Sequence, residues 1–185
     1  WFSGVNTNGS AELWNKRRFE GDYTVEAYVG CMLLGNFPNY AVPFNFRVTV
    51  GADRIEPGSG YTCIYRWIDG PAEILRNGRC VARDDSEVDT EAAREHPHFR
   101  GEHVHRWWLH LQVEKRGREV LFYVDETLWL KYDDPQPLNG PFISISTENN
   151  GIMVSRVKIT YEKERGKALV VRRTQTPSVD SGEKK

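Results

Sequence analysis

Residues 22–31 read Asp-Tyr-Thr-Val-Glu-Ala-Tyr-Val-Gly-Cys, and the order of side chains in that stretch decides the fold. Tyr23, Val25, Ala27, Val29 and Cys31 alternate with Asp22, Thr24, Glu26, Tyr28 and Gly30. An apolar residue at every second position describes a strand with one face against a core and the other turned away from it. Residues 42–50 repeat the pattern, with Val42, Phe44, Phe46, Val48 and Val50 inward and Asn45, Arg47 and Thr49 outward. Residues 60–68, 72–76 and 79–83 read as a short meander whose second turn is Asn77-Gly78, the pair favoured by a two-residue hairpin. In residues 105–116, Trp107, Leu109, Leu111 and Val113 oppose Trp108, His110, Gln112 and Glu114. Turns at Arg116-Gly117 and Asp125-Glu126 lead into strands at 119–124 and 127–132. Pro135, Pro137, Gly140 and Pro141 mark a connection, and 142–147 and 152–162 read as the last two strands. About ten closely spaced strands with at most one short helix, near Ser86–Glu95, predict an all-β sandwich or jelly roll.

The 185 residues suit one domain. We place the β-sandwich at 1–162 and a charged C-terminal extension at 163–185. Within that extension Lys167–Arg173 reads as an added edge strand and 174–185 as a flexible tail. Residue 1 is Trp rather than Met, which reads as a processed chain or a fragment. The 25 Lys and Arg against 26 Asp and Glu leave no basic excess, which argues against a nucleic-acid partner. No apolar run approaches the ~18 residues of a membrane span. The three cysteines, Cys31, Cys63 and Cys80, cannot form a complete disulfide set. Cys63 and Cys80 would pair only on neighbouring strands, and buried free thiols are the favoured reading.

Phe122–Thr160 reads FYVDETLWLKYDDPQPLNGPFISISTENNGIMVSRVKIT. It resembles the closing strands of concanavalin A-like jelly rolls. Upstream, Glu12-Leu13-Trp14 followed by Phe19–Glu26 is similar to the opening of the 3-keto-disaccharide hydrolase family. Glu126 stands where that family usually has glycine. The resemblance implies a concanavalin A-like β-sandwich of two antiparallel sheets. It also implies a saccharide or glycoside held on a concave sheet, in an extracellular or periplasmic setting. Two functional classes follow. One is a glycoside hydrolase or lyase of the keto-sugar type. The other is a non-catalytic carbohydrate-binding or structural interaction module of a larger extracellular protein.

Sugar sites combine hydroxyl-bonding side chains with a flat ring. Glu26, Tyr28, Asn45, Arg47, Trp108, His110 and Gln112 interrupt apolar strands on the face away from the core. Tyr65, Arg66 and Trp67 lie before the Asp69-Gly70-Pro71 turn, and Trp67 suits either a sugar platform or the closed end of a core. The titratable candidates for catalysis are Glu26, His110 and Glu148. The candidates for holding substrate are Tyr28, Asn45, Arg47, Tyr65, Arg66, Trp67, Trp108 and Gln112. Glu148-Asn149-Asn150-Gly151 has the composition of a turn. No cofactor or metal is expected, although that turn offers oxygens that would suit Ca²⁺. Glu87, Asp89 and Glu91 are similar to the E-x-D-x-E signature of laminarinase-type β-glucanases, but their charged flanks favour a solvated loop. His96, His98, His103 and His105 form two His-x-His pairs, for which a polar loop is favoured over a metal site. Tyr23, Phe44, Phe46, Trp107, Phe122 and Tyr161 fall on core-facing positions.

Overall fold

The computed structural model describes residues 2–31, 45–66, 71–84 and 108–161. The strands are β1 (Phe2–Trp14), β2 (Tyr23–Cys31), β3 (Asn45–Ala52), β4 (Tyr61–Arg66) and β5 (Ala72–Arg76). They continue as β6 (Arg79–Asp84), β7 (Trp108–Arg116), β8 (Glu119–Val124), β9 (Thr127–Asp133) and β10 (Phe142–Tyr161). Among the described residues there is no helix. The short helix or acidic loop expected near Ser86, the acids Glu87, Asp89 and Glu91, the four histidines of 96–105, Phe44, Trp67, Trp107 and the C-terminal extension lie outside them.

Every strand pair is antiparallel, in the order β6-β5-β4-β3-β10-β2-β7-β8-β9, with β1 beside β10. The ladder folds back on itself, because β3 meets β7, β4 meets β8, and β5 and β6 meet β9. Two layers result. The first holds β6, β5, β4, β3, the opening half of β10 and the closing half of β1. The second holds β2, β7, β8, β9 and the remaining halves of β10 and β1. Val25, Val29, Phe46, Val48, Cys63, Ile74, Leu111, Val113 and Phe122 fill the space between the layers and are fully buried. Each large side chain withdrawn from water there contributes about 1.5–3 kcal/mol.

β10 is a single strand of 20 residues, not the predicted pair of strands. Asn149 adopts the positive φ of 53° that its turn composition suggests, yet the chain runs on. The register between β1 and β10 slips between Asn6 and Ser10, opposite Asn150 and Glu148. The slip is fastened by Asn6 Nδ2 donating to the Ser10 carbonyl at 2.9 Å and the Gly9 amide donating to Asn149 Oδ1 at 2.8 Å. An irregularity of this kind bends a strand, and here both strands change layer at the same level.

Two further expectations are corrected. Tyr161 is 49% exposed because it ends β10 and meets Phe19, edge-on at 5.7 Å, rather than the core that its register partner Tyr23 enters. The cysteines are free, as expected, with β5 lying between the strands of Cys63 and Cys80, but Cys80 is not buried. Cys63 is buried opposite Ile74, whereas Cys80 is exposed opposite Leu75.

Candidate functional site

Strand alternation turns every second side chain out of the core, and strand order decides which of these become neighbours. On the outer face of the first layer, register lines up Glu12, Ser146, Arg47, Ile64, Glu73 and Arg83. The next row is Trp14, Ser144, Thr49, Thr62 and Leu75. On the other flank lie Ser10, Glu148, Asn45 and Arg66.

The floor of this face is made of short polar side chains. Thr49, Thr62, Ser144 and Ser146 are buried although they point away from the core. Longer charged chains rise from it. Arg47 forms an ion pair with Glu148. Asn45 orients both partners. Its Nδ2 donates to the Glu148 carbonyl at 2.8 Å, and its Oδ1 accepts from the Glu148 amide at 2.9 Å and from Arg47 Nε at 3.1 Å. Arg66 donates to Glu73 at 2.5 Å, and Arg83 reaches the other oxygen of Glu73 at 3.2 Å. Trp14 Nε1 donates to Glu12 at 2.5 Å. The heads remain open to solvent, with side-chain exposures of 19% for Arg47, 25% for Arg66 and 43% for Glu148.

The sequence candidates therefore do not share one groove. Asn45, Arg47, Arg66 and Glu148 meet on the first layer. Glu26, Tyr28, Trp108, His110 and Gln112 lie on the outer face of the second. There Tyr28 stacks on His110, with ring centroids 4.7 Å apart. Glu26 accepts from Lys158 at 2.5 Å, and its other oxygen lies 3.6 Å from His110 Nε2, which is buried without a hydrogen-bond partner. Gln112 donates to Glu114 at 2.8 Å. Trp108 and Tyr28 are among the exposed large rings.

Tyr65 belongs to neither face. It packs edge-on against Trp129 at 5.3 Å, and burial pushes its phenol up from the ordinary value. Its alternation partners on β4, Tyr61 and Cys63, point inward with it. Glu148 lies within β10 rather than in a connecting turn, and its carboxylate is held by Arg47. Among the described residues no group of three or more His, Cys, Asp or Glu is placed to hold a metal ion.

Glu12, Trp14, Glu73 and Arg83 were not foreseen as site residues. β1 is interrupted by Gly4, Asn6, Asn8 and Gly9 and shows no clean period of two. Glu73 had a signal, since it stands between Ala72 and Ile74 on a strand read correctly.

A cavity of about 470 Å³ opens elsewhere, between β6 and β9, and none of the predicted site residues lines it. Its walls include Arg76, Arg79, Tyr132 and Gln136. At its base Asp134 accepts from Tyr61 Oη at 2.5 Å, Arg76 Nε at 2.6 Å and the Gln136 amide at 2.8 Å. Burial pushes the Asp134 carboxyl up, but these donors outweigh it and hold it below the usual range. Burial, and after it the same contact, pushes Tyr61 up to about 12. The cluster ties β4 and β5 to the loop after β9, which is a structural role.

The layered topology is that of a concanavalin A-like jelly roll, the fold that lectins and glucanases share. No protein-family model matches the sequence, and no curated protein matches it. Solved structures do. The carbohydrate-binding module CBM66 from Bacillus subtilis superposes with a TM-score of 0.61 at 14% identity, covering 86% of each chain. A β-glucanase from Bacillus licheniformis gives 0.52 at 10% identity, over 82% of this chain and 71% of that one. A human galectin-16 variant gives 0.51 at 7% identity, over 86% of this chain and 99% of that one. At such identities the likeness is one of fold.

Proposed function

We propose that this domain binds a saccharide on the outer face of the first layer, across Asn45, Arg47, Arg66, Glu73 and Glu148. One observation carries the reading: guanidinium–carboxylate pairs already fixed over a floor of serine and threonine. A sugar hydroxyl both donates and accepts a hydrogen bond. Each pair presents an acceptor and a donor side by side, in side chains whose ordering cost was met on folding. Trp14, fixed by Glu12, supplies an apolar ring on the same face. The neighbours in fold, a carbohydrate-binding module, a β-glucanase and a galectin, support the reading by analogy. An extracellular or periplasmic setting goes with it.

A binding module, on its own or within a larger protein, is favoured over an enzyme. Glu148 and Glu73 are each held by arginine and serve as acceptors. Hydrolysis or elimination on a keto-sugar rests on the sequence resemblance, with Glu148 as the acid or base. The test is affinity electrophoresis of the protein through gels containing different polysaccharides, with the Arg47→Ala variant alongside. Retardation should fall about tenfold or more in affinity, the scale of a lost charge-assisted bond of ~1.5 kcal/mol. Equal retardation of the variant would refute this site. Turnover of a glycoside panel, lost in Glu148→Gln, would establish the enzyme instead.

A further inference from the structure

We infer that the saccharide taken by this face is neutral, and that polymers carrying uronate or sulfate groups are discriminated against. The inference rests on the saccharide reading and goes beyond it to the chemical class of ligand. It comes from charge accounting on the described face. The cations there are Arg47, Arg66 and Arg83, and the anions are Glu12, Glu73 and Glu148. They cancel in number. In space they cancel fully at Arg47–Glu148, whereas Glu73 serves both Arg66 and Arg83, and the third anion, Glu12, balances the remaining charge only over the face as a whole. Each guanidinium on the described face already has a carboxylate partner, and neutrality is best supported at Arg47–Glu148.

An incoming carboxylate or sulfate would have to share a guanidinium with the glutamate already on it. Like charges that share one site repel, and an anion that replaced the glutamate would leave that carboxylate without its partner. A neutral hydroxyl meets no such conflict. It accepts from the exposed edge of the guanidinium and donates to the neighbouring carboxylate oxygen, so the resident pair stays intact. Two adjacent hydroxyls on one ring match the spread of donor and acceptor across the Arg47–Glu148 pair. Asn45 fixes the Glu148 backbone through two hydrogen bonds and Arg47 Nε through a third, so the guanidinium is anchored where it meets the Glu148 carboxylate.

The pairing also predicts the salt response. Binding of a neutral ligand releases no counterions and should change less than about twofold between 50 and 500 mM NaCl, whereas capture of an anion weakens steeply as charge is screened.

The experiment is affinity electrophoresis and calorimetry of the 185-residue chain. The neutral probes are a glucan, a mannan, a galactan and a fructan; the acidic probes are alginate, polygalacturonate and a sulfated galactan. Glu148→Gln and Glu73→Gln are run beside it. Glu148→Gln keeps the shape but leaves Arg47 without its carboxylate, and Glu73→Gln does the same for Arg66 and Arg83. The expected result is binding to at least one neutral polymer, at least tenfold tighter than to any acidic one. Each glutamine variant should narrow or reverse that ratio by gaining affinity for the acidic polymers. Thermal unfolding of each variant shows that it is folded, and either one alone suffices if the other is not. Preference of the wild-type chain for an acidic polymer overturns neutrality while keeping the saccharide reading. An unchanged ratio in two folded variants overturns the charge-pair argument. Binding to no polymer in either set overturns the saccharide reading and this inference with it.

Discussion

A buried carboxylate takes its meaning from the donors around it, and Asp134 shows how. It is 2% exposed and accepts three hydrogen bonds, one of them from a guanidinium. Its folded-state pKa lies below the value of the unfolded chain, which is about 3.9 for aspartate. The unfolded state therefore binds the proton more readily, and stability rises with pH through that window. The contribution is complete above the unfolded pKa and is lost as pH falls through the folded one. Asp134→Asn should cost about 2–4 kcal/mol at neutral pH, because it leaves Arg76 without its charge partner. It should also lose much less stability than the wild type on going from pH 6 to pH 2.5. Urea midpoints at the two pH values check both points, and parallel losses would remove Asp134 from the account.

At the level of turns and strands, two positions test the backbone. The β8–β9 hairpin turns through Asp125 and Glu126, both at positive φ, 46° and 66°. That is the conformation a two-residue hairpin assigns to Asp-Gly, and glutamate adopts it under strain. The Asp125 side chain repays its own part by accepting from the His110 amide at 2.8 Å, whereas Glu126 has no comparable compensation there. Glu126→Gly should stabilise by about 0.5–1 kcal/mol, read as a rise in Tm, although added chain entropy opposes part of the gain. Gly140 tests the opposite case. A Cβ on it would lie 2.0 Å from the Ala52 carbonyl oxygen, a backbone atom that cannot step aside without moving β3. Gly140→Ala should cost several times what Glu126→Gly gains, on the scale of about 2–3 kcal/mol or more for a core overpacked against backbone. A Tm within a degree of wild type would contradict it.

Those strands also show what a sequence displays and what it hides. β2 was legible because one of its faces is buried along its whole length, so its alternation is clean. β1 was not, because its glycines and asparagines serve the slip at which it changes layer. β10 was cut in two for the same reason. Asn149 and Gly151 carry turn chemistry, and the turn they make is a bend inside a strand rather than a reversal.

What divides the candidate residues between two faces is legible only at the scale of the whole molecule. Alternation showed that Glu26, His110, Asn45 and Arg47 all turn away from the core, and each of them does. It could not show that β2 and β3 flank β10 at opposite halves, so that the two outward faces belong to different layers. Strand order is set by long-range pairing, which leaves no local trace. The division gives a direct prediction. Arg47→Ala and Asn45→Ala act on the first layer and should weaken saccharide binding about tenfold or more. His110→Gln and Trp108→Ala act on the second and should leave it within about twofold, since distant sites without shared partners act independently. His110→Gln removes a ring stacked on Tyr28, so folding is checked by thermal unfolding before affinities are compared. If the second-layer variants lose binding and the first-layer variants keep it, the saccharide belongs on the Tyr28–His110 face. The fixed pairs around Asn45 would then be braces of the sheet, and the charge balance that selects a neutral ligand would no longer bear on specificity.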